Sequence, residues 1–535
     1  MLKKLDKFLV ALTYSYLVLP VALFALGWLK LPFAIILTIL LIYAVVKATK
    51  DLTPPSIEIS NPVKFLSLKI ILALAITLAI IFWVYLSGIG GFTFQNEDHE
   101  LRNAMLRDLT DFSWPVEYDY SAQPDTFEMA GHKGALVYYF IYWLPAALFG
   151  KVLGGWAGAN LFLFIWTVLG VLLCFYWFSR NFKRISALLL LLFIFWSGLD
   201  AAGWVERGRP LTLGTHLEWW ADIFQYSSNT TCLFWVFNQT VVPWLIVMLL
   251  VNRLPKKQVL FTYALCLPYG PFSFIGLAPF VAYYILSGPD ARKIFSRKPI
   301  VDLKALWYNI KLAFSVSNLL IAPVIVGIFL LFFRNPGSLF GVNFLWAPLF
   351  NYKETFKHMD FVFTYFLFCL LEFGIYAFLI RGKFKKDPVF WIIVFSLLVI
   401  PSFYMGINND FAMRVSIPGL TFLMIYVAKF LAEPSQRGLK YQILKFTLIG
   451  FLLIGAITPF NEIYRSMSET GSNPGGIIRD RWHTLSTLAD FKAELGVFVV
   501  KDPQDTPFFK YLGSDHDFTK TALSQWHVLN KRINR

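Results

Sequence analysis

The chain has 535 residues, of which 57% are hydrophobic and only 15% are charged, and its formal net charge is +15. Soluble domains carry about 25% charged residues, and many apolar stretches here reach the about 20 residues that a helix needs to cross a bilayer, which excludes a soluble enzyme. The positive charge does not indicate nucleic-acid binding, because Lys and Arg lie mostly in short loops between apolar segments, where they encode membrane topology.

The apolar segments predict an all-α polytopic membrane protein with roughly 13 transmembrane helices. A lysine-rich N-terminus is predicted on the inner side. The first three crossings are predicted near residues 8–28, 32–46 and 70–88. They deliver a long polar loop, residues 90–133, to the outer face.

The next region contains two apolar segments, 134–149 and 156–178, but the basic residues at 180–184 require an inner end. The first segment is short and contains a proline. We therefore predict that it is an interfacial or partly inserted helix and that 156–178 is the true crossing. A run at 185–199 then leads out to a second large outer loop, residues 200–230.

In the second half of the chain, predicted crossings continue to alternate with inner and outer loops. The segment 259–286 is interrupted by the sequence Pro-Tyr-Gly-Pro at 268–271, which predicts two short helices in a hairpin. Further crossings are predicted near 232–251, 312–333, 361–380, 389–404, 415–432 and 441–459, with outer loops at 334–360 and 405–414. Residues 1–459 thus form the predicted membrane domain. Residues 460–535 form a small polar outer-face region that contains a strand-like run at 496–500.

Ionisable residues cluster in the predicted outer loops. Glu97, Asp98 and His99 directly follow the third crossing, and His132 lies at the end of that loop. Adjacent carboxylates serve as a general base or hold a divalent cation, and a histidine adds a metal ligand. The alternative is an ordinary solvated start of a loop.

The second outer loop contains His216, Glu218 and Trp219. Aromatic faces beside polar groups suit sugar binding, and we predict these residues, with His99 and His132, as substrate-binding. The alternative for the tryptophan is an interfacial anchor. Glu372 lies inside an apolar segment, and an intramembrane acid is a functional hypothesis by default.

The acidic pair Glu97-Asp98 at the start of the first large outer loop resembles a motif of the GT-C superfamily of membrane glycosyltransferases. Candidate juxtamembrane helices at 101–113 and 134–149, and a Phe149-Gly150 turn before a long crossing, extend the resemblance. One departure is that the acidic pair follows the third apolar segment rather than the first.

The resemblance implies an inverting glycosyltransferase of the bacterial cytoplasmic membrane. Such an enzyme moves a sugar from a polyprenyl-phosphate-linked donor to a glycan, lipid or protein acceptor at the outer face. Asp98 is then the base, with Glu97 second. A divalent metal ion of unknown identity is the alternative partner of these carboxylates, with His99 as a further ligand.

The donor phosphate needs a cation at the level of the lipid headgroups, and the arginine fork suits phosphate oxygens. Arg414 lies where the loop 405–414 re-enters the apolar phase, and Arg334 is the second candidate. The alternative for Arg414 is a helix-end arginine that snorkels to the interface.

Two other functions are compatible with this membrane layout. A transporter or flippase of a lipid-linked glycan places its polar groups at the bilayer midplane, often on broken helices, and the break at 268–271 and Glu372 fit that description. The sequence contains no internal repeat, which disfavours this reading. A non-catalytic assembly subunit is the third possibility.

Overall fold

The structure of the chain, a computed structural model, describes residues 2–51, 66–121, 129–288, 302–334, 343–346, 360–405, 409–433, 438–472, 487–488 and 495–514. Within these ranges the chain is mostly α-helical, and its strands are short. This agrees with the predicted all-α class.

Six helices in the described ranges are long and apolar enough to cross a membrane. They are Asp6–Trp28, Leu31–Asp51, Gly155–Asn181, Asn229–Val251, Phe361–Phe384 and Gly438–Ser472. A helix rises about 1.5 Å per residue, so about 20 residues cover the hydrocarbon core. Shorter apolar helices accompany them at Ile70–Leu86, Ile141–Val152, Pro271–Ser287, Ser317–Phe332, Pro388–Ser402 and Ile417–Leu431.

Large apolar side chains cover the outward faces of these helices. Leu78, Phe395 and Phe446 are 65%, 69% and 72% exposed. Soluble proteins rarely present contiguous apolar surface to water, whereas lipid tails solvate such side chains well. The exposed faces are therefore typical of a membrane protein.

The α-helices, in chain order, are α1 Leu2–Trp28, α2 Leu31–Asp51, α3 Leu66–Leu86, α4 Asp98–Asp111, α5 Leu144–Val152, α6 Gly155–Asn181, α7 Ala187–Ile194, α8 Asp200–Glu206, α9 Asn229–Val251, α10 Lys256–Ala264, α11 Pro271–Ser287, α12 Leu303–Lys311, α13 Ala322–Phe332, α14 Phe361–Cys369, α15 Ile375–Phe384, α16 Pro388–Val399, α17 Asp410–Val415, α18 Ile417–Leu431, α19 Gly438–Gly455, α20 Ile457–Ser472 and α21 Leu495–Phe498. The strands are β1 Glu117–Asp119, β2 Lys133–Leu136, β3 Asn343–Phe344, β4 Phe403–Tyr404 and β5 Val499–Lys501.

Two predicted segments contain less α-helix than the sequence suggests. The segment 134–149 begins within β2, includes a 3-10 turn at Ile141–Trp143 and ends within the nine-residue α5, Leu144–Val152. Nine residues span only about 14 Å, so this segment does not cross a bilayer by itself. In the run at 185–199, only the eight residues of α7 are helical.

The predicted break at 268–271 is observed. Helix α10 ends at Ala264, and α11 begins at Pro271, where the missing proline N–H costs nothing because the first turn of a helix leaves it unpaired. Between them the Tyr269 hydroxyl donates a 2.7 Å hydrogen bond to the Leu17 carbonyl. The interruption is thereby fixed against α1.

The C-terminal region is joined to the first polar loop rather than set apart from it. Strand β2 pairs antiparallel with β1 on one side and with β5 on the other, so Gly134 lies opposite Lys501. The strand prediction at 496–500 is thus correct only from Val499 onward, since α21 occupies the residues before it. The predicted boundary at residue 460 falls inside α20.

A buried carboxylate also joins the C-terminal region to the first polar loop. Asp108 in α4 accepts hydrogen bonds from the Tyr118 hydroxyl at 2.7 Å and from the Leu488 backbone N–H at 3.0 Å. Burial raises the pKa of Asp108 to about 7. The described C-terminal residues are therefore part of the same folded unit as α4.

Helices α11 and α17 touch at a glycine, which yields a stability prediction. A Cβ at Gly276 would lie 2.1 Å from the Val415 carbonyl oxygen, so Gly276→Ala must push α17 away. We expect a loss of about 1–3 kcal/mol in the free energy of unfolding, measured as a lower melting temperature in detergent. Gly327→Ala in α13 is the matched control, because a Cβ there meets nothing within 4 Å. Equal melting temperatures for the two variants would contradict the close contact.

Candidate functional site

A cavity of about 460 Å³ gathers residues from segments that are far apart in the sequence. It contains four residues predicted from the sequence, namely Asp98, His216, Trp219 and Arg414. Its other lining residues are Leu101, Arg102, Tyr138, Tyr139, Gln225, Ser227, Thr231, Trp235, Val236, Asp410, Met413, Val497 and Phe498.

Helix α4 supplies the acidic side of the cavity. The helix begins at Asp98, where a negative charge is favoured by the unpaired N–H groups and the helix dipole. Asp98, Leu101 and Arg102 share one helix face because residues three and four apart are neighbours. The Asp98 carboxylate lies 2.6 Å from the Arg102 guanidinium, and its side chain is 40% exposed. Asp98 therefore faces the cavity as a half-exposed, paired carboxylate.

The short helix α17 supplies a second charged pair. The Arg414 guanidinium lies 3.0 Å from Asp410, and the Arg414 side chain is only 10% exposed. The Arg414 carbonyl accepts a hydrogen bond from the Ser273 hydroxyl at 3.0 Å, which anchors α17 on α11. Burial acts to lower the pKa of Arg414, but the charge of Asp410 raises it, so the guanidinium stays charged.

Both arginines of the cavity retain unused donors. Within the described part of the chain, Arg102 Nη1 and Arg414 Nε have no hydrogen-bond partner, although both atoms are buried. Burying such a donor without an acceptor is costly. The two guanidinium groups are therefore suited to an anionic ligand. The sequence reasoning missed Arg102, whose only signal is its position four residues after Asp98.

A histidine and a glutamate form a third polar group at the wall of the cavity. His216 Nδ1 lies 2.7 Å from Glu462 Oε1, and both side chains are buried. A carboxylate only accepts, so Nδ1 carries a proton. Glu462 Oε2 accepts from Trp235 Nε1 at 3.0 Å and from Arg465. Sequence reasoning missed Glu462, because it was assigned to the start of the polar C-terminal region.

Aromatic rings flank His216. The ring centroids of Trp219 and Trp235 lie 4.7 Å and 5.1 Å from that of the imidazole. Trp235 lines the cavity next to Val236, where α9 is irregular, with φ of −137° and ψ of 39°. With Tyr138 and Trp219, it gives the cavity aromatic faces that suit the C–H groups of a sugar.

Glu218 supports the cavity without lining it. It is buried, and its carboxylate accepts from the Ser228 N–H at 2.8 Å and from Gln225 Nε2 at 3.0 Å. Burial raises the pKa of Glu218 to about 7. Glu218 thus positions the lining residue Gln225 and the start of α9.

Several other predicted residues lie outside the cavity lining. Glu97 is exposed next to Asp98. His132 pairs with Asp502 at 2.7 Å beside the three-stranded sheet, and Arg334 is exposed just after α13. The structure therefore does not bring His132 or Arg334 to the cavity that Asp98 and Arg414 line.

His99 has a structural contact instead of a ligand position. Its Nε2 lies 3.0 Å from the Phe234 carbonyl, which also accepts from Asn96 Nδ2 at 2.9 Å. Burial and the charge of Arg102 lower the pKa of His99 to about 4, so the ring is neutral at physiological pH. These bonds join the first polar loop to α9.

The predicted metal ligands do not converge. His99 is turned to a backbone carbonyl, and Glu97 does not line the cavity that Asp98 faces. Among the described residues, no three His, Cys, Asp or Glu side chains form a group that could hold a metal ion. The described geometry thus offers Asp98 as a carboxylate beside arginines rather than as part of a ligand set.

Comparison with known proteins finds no matching family model, no matching curated protein and no matching solved structure.

Proposed function

We propose that this chain is an inverting membrane glycosyltransferase that uses a polyprenyl-phosphate-linked sugar as its donor. The observation that carries the proposal is the cavity itself, in which a half-exposed carboxylate, Asp98, lies with two arginines that each retain a buried, unused donor. The phosphate of a sugar donor presents oxygens that can accept hydrogen bonds from these arginines. An acceptor hydroxyl presents the proton that the carboxylate takes.

In this proposal each group has one role. Arg414 and Arg102 bind the donor phosphate, and the phosphate competes with Asp98 for the Arg102 guanidinium. Asp98 then accepts the proton of the acceptor hydroxyl as that oxygen attacks the anomeric carbon. The aromatic side chains Tyr138, Trp219 and Trp235 hold the sugar.

The wider assignment follows from the same proposal. The fold is of the GT-C kind with roughly 13 crossings, and the cavity faces the outer side of a bacterial cytoplasmic membrane. The acceptor is a glycan, a lipid or a protein. A divalent metal ion is the alternative partner of the Asp98 carboxylate, and assays with and without EDTA test whether transfer needs one.

Binding of the phosphate is the direct test. At saturating concentration, polyprenyl phosphate should raise the melting temperature of the purified protein. A ligand at 100 times its Kd stabilises by about 2.7 kcal/mol. Polyprenol of the same chain length is the matched control, since it keeps the lipid and removes the phosphate. Equal shifts for the two lipids would contradict the proposed phosphate site.

The transporter remains a second candidate because of a buried acid between the helices. Glu372 lies in the π-helical turn between α14 and α15 and accepts a hydrogen bond from Trp220 Nε1 at 3.1 Å. In proteoliposomes, a transporter moves a lipid-linked glycan between leaflets without breaking its sugar–phosphate bond. A transferase releases polyprenyl phosphate, so product analysis separates the two functions.

A further inference from the structure

His216 and Glu462 form a buried hydrogen-bonded pair, of which His216 lines the cavity. Glu462 holds His216 through Nδ1 at 2.7 Å and is itself held by Trp235 and Arg465. His216 Nε2 has no hydrogen bond within the described part of the chain, and the residue lines the cavity. A histidine oriented by a carboxylate through one nitrogen presents the other nitrogen for proton transfer.

We propose that His216 is the general acid of the transfer and donates its Nε2 proton to the phosphate oxygen of the leaving group. This inference rests on the proposed function and adds a proton donor at the same cavity, opposite in role to Asp98. Glu462 is a positioning residue, because it fixes the imidazole and does not itself line the cavity.

The charges around the imidazole favour its protonated form. The negative charges of Glu462 and Glu218 act on it, Asp200 acts on it from α8, and Arg465 opposes them from α20. Burial alone would lower the pKa of His216, but the hydrogen bond and charge of Glu462 raise it above its usual value. The hydrogen bond and charge of Glu462 thus favour the imidazolium form that a general acid needs.

The proposed step balances. The acceptor oxygen forms a bond to the anomeric carbon and passes its proton to Asp98, while the bond between that carbon and the phosphate oxygen breaks. The electron pair of the broken bond stays on the phosphate oxygen, which takes the proton from His216. The products are the glycosylated acceptor and polyprenyl phosphate. Solvent restores the proton of His216 and removes that of Asp98.

His216→Gln separates proton donation from hydrogen bonding. The glutamine amide can donate a hydrogen bond but cannot release its proton. We expect kcat to fall about 10²-fold, with little change in the affinity for polyprenyl phosphate. We also expect the loss of activity at high pH, which reports the acid in the wild type, to disappear. A wild-type kcat and pH profile in this variant would overturn the acid role.

Glu462→Gln tests the positioning residue. Removing the negative charge should lower the pKa of His216, so the acid form is lost at lower pH and the basic limb of the kcat profile moves to lower pH. Glu469→Gln on the same helix α20 is the control, since Glu469 does not line the cavity and its variant should keep the wild-type profile. An unmoved basic limb in Glu462→Gln would contradict the assignment.

A readout without turnover distinguishes this inference from the proposed function. In protein labelled with ¹⁵N-histidine, the signal missing from His216→Gln should titrate above an ordinary histidine. A signal that titrates below an ordinary histidine would overturn the acid role even if transfer is observed. If the wild type neither transfers the sugar nor distinguishes polyprenyl phosphate from polyprenol, the proposed function fails and the acid role fails with it.

Discussion

Asp98→Asn should lower kcat for sugar transfer by about 10²–10⁴-fold, the usual contribution of a general base. Asparagine keeps the size of the side chain and cannot accept the proton of the acceptor hydroxyl. The effect should be confined to the chemical step, because the Arg102 guanidinium that now pairs with Asp98 at 2.6 Å becomes more available to the donor phosphate. The apparent KM for the donor should therefore stay the same or fall.

For Asp98, the informative measurement is whether kcat falls while the KM for the donor does not rise. A residue with only a structural role would change the melting temperature or both kinetic constants together. Glu100→Gln is the matched control, since Glu100 is an exposed acid on the same helix α4. If Asp98→Asn retains kcat within about twofold of the wild type, Asp98 is not the base.

Arg414→Lys should raise the apparent KM for the donor by about 10-fold or more, since a hydrogen bond to a charged group contributes about 1.5–3 kcal/mol. Lysine keeps the charge near Asp410 but loses the planar fork that binds two phosphate oxygens at once. The KM for the acceptor and the melting temperature should change little. Donor titrations at fixed acceptor concentration measure this difference.

Arg334→Lys provides the comparison for Arg414. Arg334 was predicted from the sequence for the same role, but it is exposed after α13 and does not line the cavity. The same chemical change there should leave the KM for the donor unaltered. If Arg414→Lys behaves like Arg334→Lys, then Arg414 is an interfacial anchor that either basic side chain can supply.

The sequence predicted those features that depend on local composition. Apolar runs of sufficient length predicted helices such as Phe361–Phe384 and Asn229–Val251, because length and hydrophobicity alone decide whether a helix suits a bilayer. The interruption at 268–271 was predicted for the same reason, since proline and glycine act on their own segment. Asp98 and Arg414 were singled out because each follows or precedes an apolar run.

The predictions from the sequence were wrong where contacts between distant segments decide the position of a side chain. His99 is next to Asp98 in the sequence, yet its ring is turned to the Phe234 carbonyl, away from the cavity. His132 is held by Asp502 because β2 pairs with β5. Neither Phe234 nor Asp502 lies near its histidine in the sequence, so no local pattern predicts either contact.

Composition and the length of the apolar runs were enough to indicate a helical membrane chain whose ionisable residues are concentrated in loops. Which of those residues share a cavity depends on tertiary packing, which brings Arg102 into the cavity lining and places Glu462 behind His216. The physical reason is that a helix side is set by residues three and four apart, whereas a cavity is set by how separate helices pack. The 2.7 Å contact between His216 and Glu462 joins residues from two such separate segments, so no local pattern could reveal it.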